Sequence, residues 1–219
     1  LSAFPSSHEL NVGMLGMHGN YAPNKLTNEC DVLLAVGMRF DDRVTGDLNK
    51  YAKQAKVIHV EIDAAETNKN VHADVAVHAD AKEALTALLS YTNKNEHSEW
   101  LQEFKTLEAI EFEKVMQDDL FPETNGLKMA EVVRLLSNKS DGKAVVVSDV
   151  GQHQMIAARY YRFRQTLSNV TSGGLGTMGF ALPAALGAKL ALPNREVIAV
   201  IGDGGFQMTL QELGTIQQT

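Results

Sequence analysis

The stretch VIAVIGDGGFQMTLQELGTI (197–216) decides the fold. It opens on a β-branched apolar run, passes through Gly202, Asp203, Gly204 and Gly205, and closes on a helix-like pattern expected to start near Met208. An apolar run of this kind reads as a buried strand of a parallel sheet. Open parallel sheets bind ligands outside the carboxyl ends of their strands, and Asp203 stands at such an end. The glycines around it remove side chains, so a ligand can come close to the backbone. The free N–H groups of the helix that follows favour an anion. A lone carboxylate would repel that anion unless a divalent cation lay between them, and Mg2+ commonly binds through one or two carboxylates plus phosphate oxygens. A plain Asp-Gly turn fits the same spacing.

The rest of the chain repeats the pattern. In residues 1–92, CDVLLAVG, KVIHVEID and VAVHAD read as buried strands, with helical APNKLTNE before the first and AKEALTALLSYT after the third. With LNVGMLG as a further strand, they make a small parallel-sheet domain of Rossmann-like type. Residues 93–125 hold a polar loop and one amphipathic helix, EWLQEFKTLEAIEFEKVMQDDLF, stopped by PETNG. This is expected to be a linker helix on the domain surface. Residues 126–219 resume α/β with LKMAEVVRLLSN, AVVVSDVG, QHQMIAARYY, GFALPAALGAKLA and EVIAVIGDG, a second sheet that the C-terminus cuts short.

The bulk properties exclude several classes. A net charge of −7 over 219 residues without a Lys/Arg cluster argues against nucleic-acid binding. No apolar run reaches membrane-spanning length, and no export signal opens the chain. A single cysteine, Cys30, rules out an intramolecular disulfide framework and fits a reducing cytoplasm. The chain begins with Leu rather than Met, so a piece of something longer is expected.

Two further motifs sit at expected loop positions. GMRFDDRVTG (37–46) follows the first strand at its carboxyl end and packs Arg39, Asp41, Asp42 and Arg43 together. It reads as a solvated charged loop or as a ligand edge for a molecule with phosphate and hydroxyl groups. Asp63 and Asp80 end the next two strands; Asp63 is expected to cap a helix over AAETNKN. GGLGTMG (173–179) has the glycine spacing of a dinucleotide fingerprint. The preceding QTLSNVTS is too polar for the central strand such a site requires, which favours a glycine turn against another ligand. The histidines lack metal-ligand spacing.

GMLGMHGNYAPN, VGMRFDDRVTG, SDVGQHQM, SGGLGTMGFALPAALGAKLA and IGDGGFQMTLQEL together resemble the catalytic subunit of the acetohydroxyacid (acetolactate) synthase family, within the thiamine diphosphate enzyme superfamily. The likeness runs from Leu10 to Gln218. It implies three cofactors: thiamine diphosphate, Mg2+ and FAD. Asp203 matches the first Mg2+ ligand of a motif that ends in an Asn-Asn pair, which would fall beyond Thr219. Val150, Gly151, Gln152 and His153 match the diphosphate-side loop. Gly176 and Met178 match the cradle of the aminopyrimidine ring, with Met178 wedged under the bent cofactor. Gly204 and Gly205 follow the metal ligand where many relatives carry Ala-Ser or Ala-Cys.

Residues 126–219 then look like the N-terminal part of the thiamine diphosphate domain, and 1–92 like the FAD-binding central domain. Met17, His18 and Gly19 match one FAD loop; Gly37, Arg39, Asp41, Arg43 and Val44 match another; Glu61, Ile62, Asp80 and Ala81 match the adenosine end. Arg43 and Met17 also match residues at the entrance for the second 2-ketoacid. The implied reaction joins decarboxylated pyruvate to pyruvate or 2-ketobutyrate, giving 2-acetolactate or 2-aceto-2-hydroxybutyrate for branched-chain amino acids. The implied assembly is a homodimer or homotetramer, with a regulatory small subunit. The resemblance also implies an activating glutamate in a domain not in this sequence, so the chain alone is expected to be inactive. Pyruvate oxidase, glyoxylate carboligase and a non-catalytic nucleotide-binding module are the alternatives.

Overall fold

In the computed structural model, residues 1–123 and 126–219 are described. They form two compact units, Val12–Glu111 and Leu1–Asn11 with Phe112–Thr219.

The Val12–Glu111 unit is built on three parallel strands, β1 (Val32–Val36), β2 (Lys56–Glu61) and β3 (Val75–His78), in that spatial order. The registers pair Val32 with Lys56 and Ile58 with Val75. Helix α1 (Tyr21–Leu26) precedes β1, the short α2 (Asp42–Thr45) follows it, and α3 (Ala81–Leu89) follows β3. The core gathers Ala35, Phe40, Tyr51, Ala52, Val57 and Ala73. Residues 10–16, expected as a strand, are a loop. Gly13 and Gly16 adopt positive φ there, and the loop's N–H groups bond to side chains rather than to a ladder: Met14 N to Asn20 Oδ1 and Gly16 N to Asn24 Oδ1. The helix expected after Asp63 is instead a run of turns, with the Asp63 carboxylate accepting from Ala65 N.

The expected long helix is present in parts. Helix α4 (Ser98–Glu111) packs on α1 within the first unit. A π-helical turn (Phe112–Met116) and α5 (Gln117–Leu120) continue it, and Met116 and Leu120 enter the core of the other unit. This stretch is therefore more than a surface connection. Thr124 and Asn125 of the expected PETNG stop, and with them the expected boundary at 125, lie outside the described residues.

In the second unit β4 (Val145–Ser148) lies between β5 (Asn169–Thr171) and β6 (Val197–Val200), all parallel. Every residue of β4 is buried. Side chains alternate across a sheet, so Val146 faces one cluster, with Val133, Tyr160 and Phe163, while Val145 and Val147 face another, with Ala181. Helices α6 (Met129–Lys139) and α7 (Gln152–Tyr160) supply the first cluster and α8 (Ala181–Ala191) the second. Helices on both faces of a parallel sheet are the doubly wound arrangement. β5 is an edge strand, which is why its polar sequence is tolerated. The N-terminal arm belongs here: Ser2 Oγ accepts from the N–H groups of Ser168 and Asn169, and Ser6 exchanges two bonds with Phe163. The chain ends in α9 (Asp203–Met208) and α10 (Glu212–Gln218). No helix among the described residues is long and apolar enough to cross a membrane.

Candidate functional site

The carboxyl edge of the β5-β4-β6 sheet collects every residue that the sequence assigns to the thiamine diphosphate side. Val150 and Gly151 follow β4, and Gln152 and His153 open α7. The His153 ring lies over the end of β6 as well as of β4: a Cβ on Gly151 would stand 2.8 Å from it and one on Gly202 3.1 Å. His153 Nε2 is buried and has no hydrogen-bond partner among the described residues. Helix α9 starts at Asp203, not near Met208, and its N-cap Gly202 supplies no capping side chain. Asp203 is exposed.

The glycine turn 173–179 stands against this helix. Met178 is 47% exposed, and a Cβ on Gly204 would lie 3.5 Å from its methyl group. Gly179 holds φ +80, a conformation a side chain resists, and a Cβ there would meet Thr209 and Met208 within 3.2 Å. The sequence reading missed Asp149. Its side chain is completely buried, and its two oxygens accept from Gly179 N at 3.0 Å and Phe180 N at 3.1 Å. A Cβ on Gly205 would overlap Asp149 Oδ2. With Asp149 in this position, a side chain at Gly205 would have to displace the carboxylate; at Gly204 a Cβ would meet only the Met178 methyl, at an ordinary contact distance.

An orphaned buried imidazole nitrogen, an uncapped helix start and an exposed carboxylate fit an anionic cofactor with a divalent ion. No cluster of three or more His, Cys, Asp or Glu among the described residues could hold a metal by itself. Asp203 would therefore be one ligand, with oxygens of the anion among the others.

The β1-β2-β3 unit has its own carboxyl edge. Gly37 follows β1 and donates to Val60 O. The next turn is fixed by fully buried His59 on β2, whose Nε2 lies 2.9 Å from Met38 O. A carbonyl only accepts, so Nε2 carries the proton. Phe40 packs edge-on against that ring, centroids 5.0 Å apart, with φ +52. Arg39 pairs with Asp41 at 3.5 Å and Arg43 with Asp42 at 3.0 Å. Asp41 also caps α2 by accepting from Arg43 N. The Met17, His18 and Gly19 loop joins this edge: Met17 N donates to Arg43 O at 2.7 Å, and a Cβ on Gly16 would stand 3.2 Å from Val44 Cα. Glu61 Oε1 accepts from Ile62 N and Asp63 N, and Asp80 Oδ1 caps α3 through Lys82 N and Glu83 N, with Ala81 the first residue of that helix. Met17 and Ile62 expose apolar side chains, at 64% and 65%. Charged groups flanked by exposed apolar ones fit a ligand with both polar and flat apolar parts. The structure thus brings the expected FAD residues to one edge of one unit.

Two family models match separate stretches of the chain. The family model "Thiamine pyrophosphate enzyme, central domain" matches residues 1–88, and "Thiamine pyrophosphate enzyme, C-terminal TPP binding domain" matches residues 149–219. The chain belongs to the thiamine pyrophosphate enzyme family. Within it, the chain is 44% identical to the acetolactate synthase large subunit of Lactococcus lactis over 218 residues, covering 99% of this chain and 37% of that one. It is 43% identical to the acetolactate synthase isozyme 3 large subunit of Escherichia coli, covering 100% and 38%. It is 46% identical to the large subunit of Mycobacterium tuberculosis, covering 97% and 35%. The chain thus spans a little over a third of the length of these relatives. Two enzyme-family domains on α/β parallel-sheet units are the architecture expected from the sequence.

Proposed function

We propose that this chain supplies the FAD-side and thiamine diphosphate-side residues of an acetolactate synthase. The observation that carries the reading is the convergence of His153, Gly176, Met178, Asp203, Gly204 and Gly205 at one sheet edge, in a chain similar over its whole length to acetolactate synthase large subunits. Thiamine diphosphate, when bound, supplies the carbanion and electron sink for decarboxylation and for carbon–carbon bond formation.

The chain's residues do the rest. Asp203 holds Mg2+ against the diphosphate. His153 offers its buried Nε2, and Val150, Gly151 and Gln152 shape the loop around it. Met178 and Gly176 support the aminopyrimidine ring and keep water from it. FAD lies along Met17, His18, Gly19, Gly37, Arg39, Asp41, Val44, Glu61, Ile62, Asp80 and Ala81, in a structural role. Arg43, 69% exposed at its side chain, receives the carboxylate of the second 2-ketoacid in bidentate fashion. Pyruvate is the first substrate; pyruvate or 2-ketobutyrate is the second. The complete enzyme is a cytoplasmic homodimer or homotetramer with a regulatory small subunit.

A chimera tests this. Residues 1–219 replace the matching segment of the Lactococcus lactis large subunit, and acetolactate formation from pyruvate is followed with and without thiamine diphosphate and Mg2+. Cofactor-dependent acetolactate is expected. A chimera that retains thiamine diphosphate and FAD but forms none overturns the assignment. Flavin absorbance of the purified chain after adding FAD tests the central domain separately.

A further inference from the structure

We infer that Asp149 is a positioning residue that sets the Met178 loop before cofactor arrives; the inference rests on the thiamine diphosphate reading above. Asp149 lies immediately after β4. Its backbone N–H donates to Val200 O at 3.0 Å, joining the end of β4 to the end of β6 three residues before Asp203. One carboxylate oxygen, Oδ2, accepts from Gly179 N; the other, Oδ1, accepts from Phe180 N. These amides directly follow Met178 and lead into α8. The carboxylate also fills the space that a Gly205 side chain would take. One buried group therefore fixes the separation of three segments that carry the proposed cofactor contacts: the β4 loop, the Met178 loop and the start of α9.

The chemistry requires a carboxylate. Each oxygen takes one N–H, so both positions must accept. An asparagine has one acceptor and one donor, and the donor would face an N–H. Asp149→Asn is nearly isosteric yet must release Gly179 or Phe180. Loss of a hydrogen bond to a charged group corresponds to about a 10- to 150-fold change in the local opening equilibrium.

The test begins with amide hydrogen exchange on the 219-residue chain without cofactor. In Asp149→Asn, Gly179 or Phe180 is expected to exchange about 10- to 150-fold faster, with Val145, Val146 and Val147 unchanged. Equal acceleration across β4 means a general stability role and overturns the inference; so does unchanged exchange at Gly179 and Phe180. Gly205→Ala alone should loosen the same two amides by displacing the carboxylate. In the Asp149→Ala background it should add little, because the methyl enters vacated space. Additive effects would show that the two positions are independent and overturn the arrangement.

In the chimera, Asp149→Asn should raise the thiamine diphosphate concentration for half-maximal activity about 10-fold, the lower end of that range. The KM for pyruvate at saturating cofactor and the FAD content should stay the same. An unchanged cofactor requirement overturns the positioning role. A chimera inactive with Asp149 in place counts against the acetolactate synthase reading instead, and the exchange result then decides the positioning role by itself.

Discussion

The two sheets of this chain present their carboxyl edges in opposite electrostatic states. At the β1-β2-β3 edge the charges answer one another: Arg39 with Asp41, Arg43 with Asp42, Asp41 and Asp80 on helix starts, Glu61 on its own loop. At the β5-β4-β6 edge an exposed carboxylate stands among glycines, and the His153 Nε2 has no hydrogen-bond partner among the described residues. Each edge is nevertheless steadied by buried polar side chains, among them His59 under Met38 and Asp149 under Gly179. The difference teaches how each edge would hold a ligand. The first pairs its exposed charges and offers shape, backbone and apolar surface, although the Nδ1 of buried His59 has no hydrogen-bond partner among the described residues. The second is incomplete and needs a cation with its anion.

The largest expected effect follows from that incompleteness. Asp203→Ala in the chimera should abolish retention of thiamine diphosphate and Mg2+ while leaving FAD in place. A helix terminus behaves as roughly half a positive charge, too little for a diphosphate, so the ion and its carboxylate must supply the remainder. Titration of each cofactor at fixed Mg2+ checks this. Normal thiamine diphosphate binding by the variant would return Gly202, Asp203 and Gly204 to an ordinary turn and erase the contrast between the edges.

Arg43→Ala comes second. The Arg43–Asp42 pair is exposed on both sides, and such pairs contribute little, so the guanidinium is available to a ketoacid carboxylate. Losing a charge-assisted bidentate contact costs about 1.5–3 kcal/mol, or about 10- to 150-fold. The KM for the second 2-ketoacid should rise by that factor with FAD content unchanged. Collapse of FAD content with unchanged ketoacid use would make Arg43 a flavin residue.

A third, smaller effect sharpens the claim that the charges of the first edge answer one another. Asp80→Ala removes the α3 cap and should cost about 1 kcal/mol. Amide exchange in α3 and β3 should quicken while β4 stays unchanged. A loss of FAD binding beyond that of the helix start would mean that the Asp80 carboxylate serves a ligand as well as the helix.

These contrasts were unevenly legible in the sequence. Strand positions followed from apolar runs, and the ligand edges followed from strand direction, so Asp203, Gly37 and Asp80 could be placed from the sequence. Asp149 could not. In sequence it is one more polar residue of the SDVG turn, and its meaning comes from amides 30 and 31 residues away. Gly205 gives a signal only once that carboxylate is seen beside it. The start of α9 was expected near Met208, whereas the helix already includes Gly204 and Gly205, residues of low helix propensity. The placement of Leu1–Asn11 with the second unit rests on the Ser2 and Ser6 hydroxyls, which no periodicity marks.

The smallest effect compares two buried phenols, one in each unit. Burial pushes both Tyr51 and Tyr160 from 10.0 up to about 12; the Cys30 side chain adds to the first and the Asp119 hydrogen bond to the second. The environments differ. Tyr160 OH donates to Asp119 Oδ2 at 2.6 Å, whereas Tyr51 OH is buried without a partner among the described residues. At pH 7 Tyr160→Phe should cost about 1 kcal/mol, and Tyr51→Phe should be near neutral or slightly stabilising, since it removes a polar group that has already lost its water. Above pH 10 both should behave alike. The unfolded phenol releases its proton near 10, the folded one near 12, so the unfolded state binds fewer protons in that window. Stability therefore falls as pH rises through it, because the folded state must hold a proton that the unfolded state has released, and the fall levels off above about 12. Replacing either tyrosine should flatten the alkaline loss in its own unit. Urea unfolding of wild type and the two variants at pH 7 and pH 10.5, about half a unit into that window, measures both halves. A Tyr51→Phe cost as large as that of Tyr160→Phe would place an unseen partner on the Tyr51 hydroxyl.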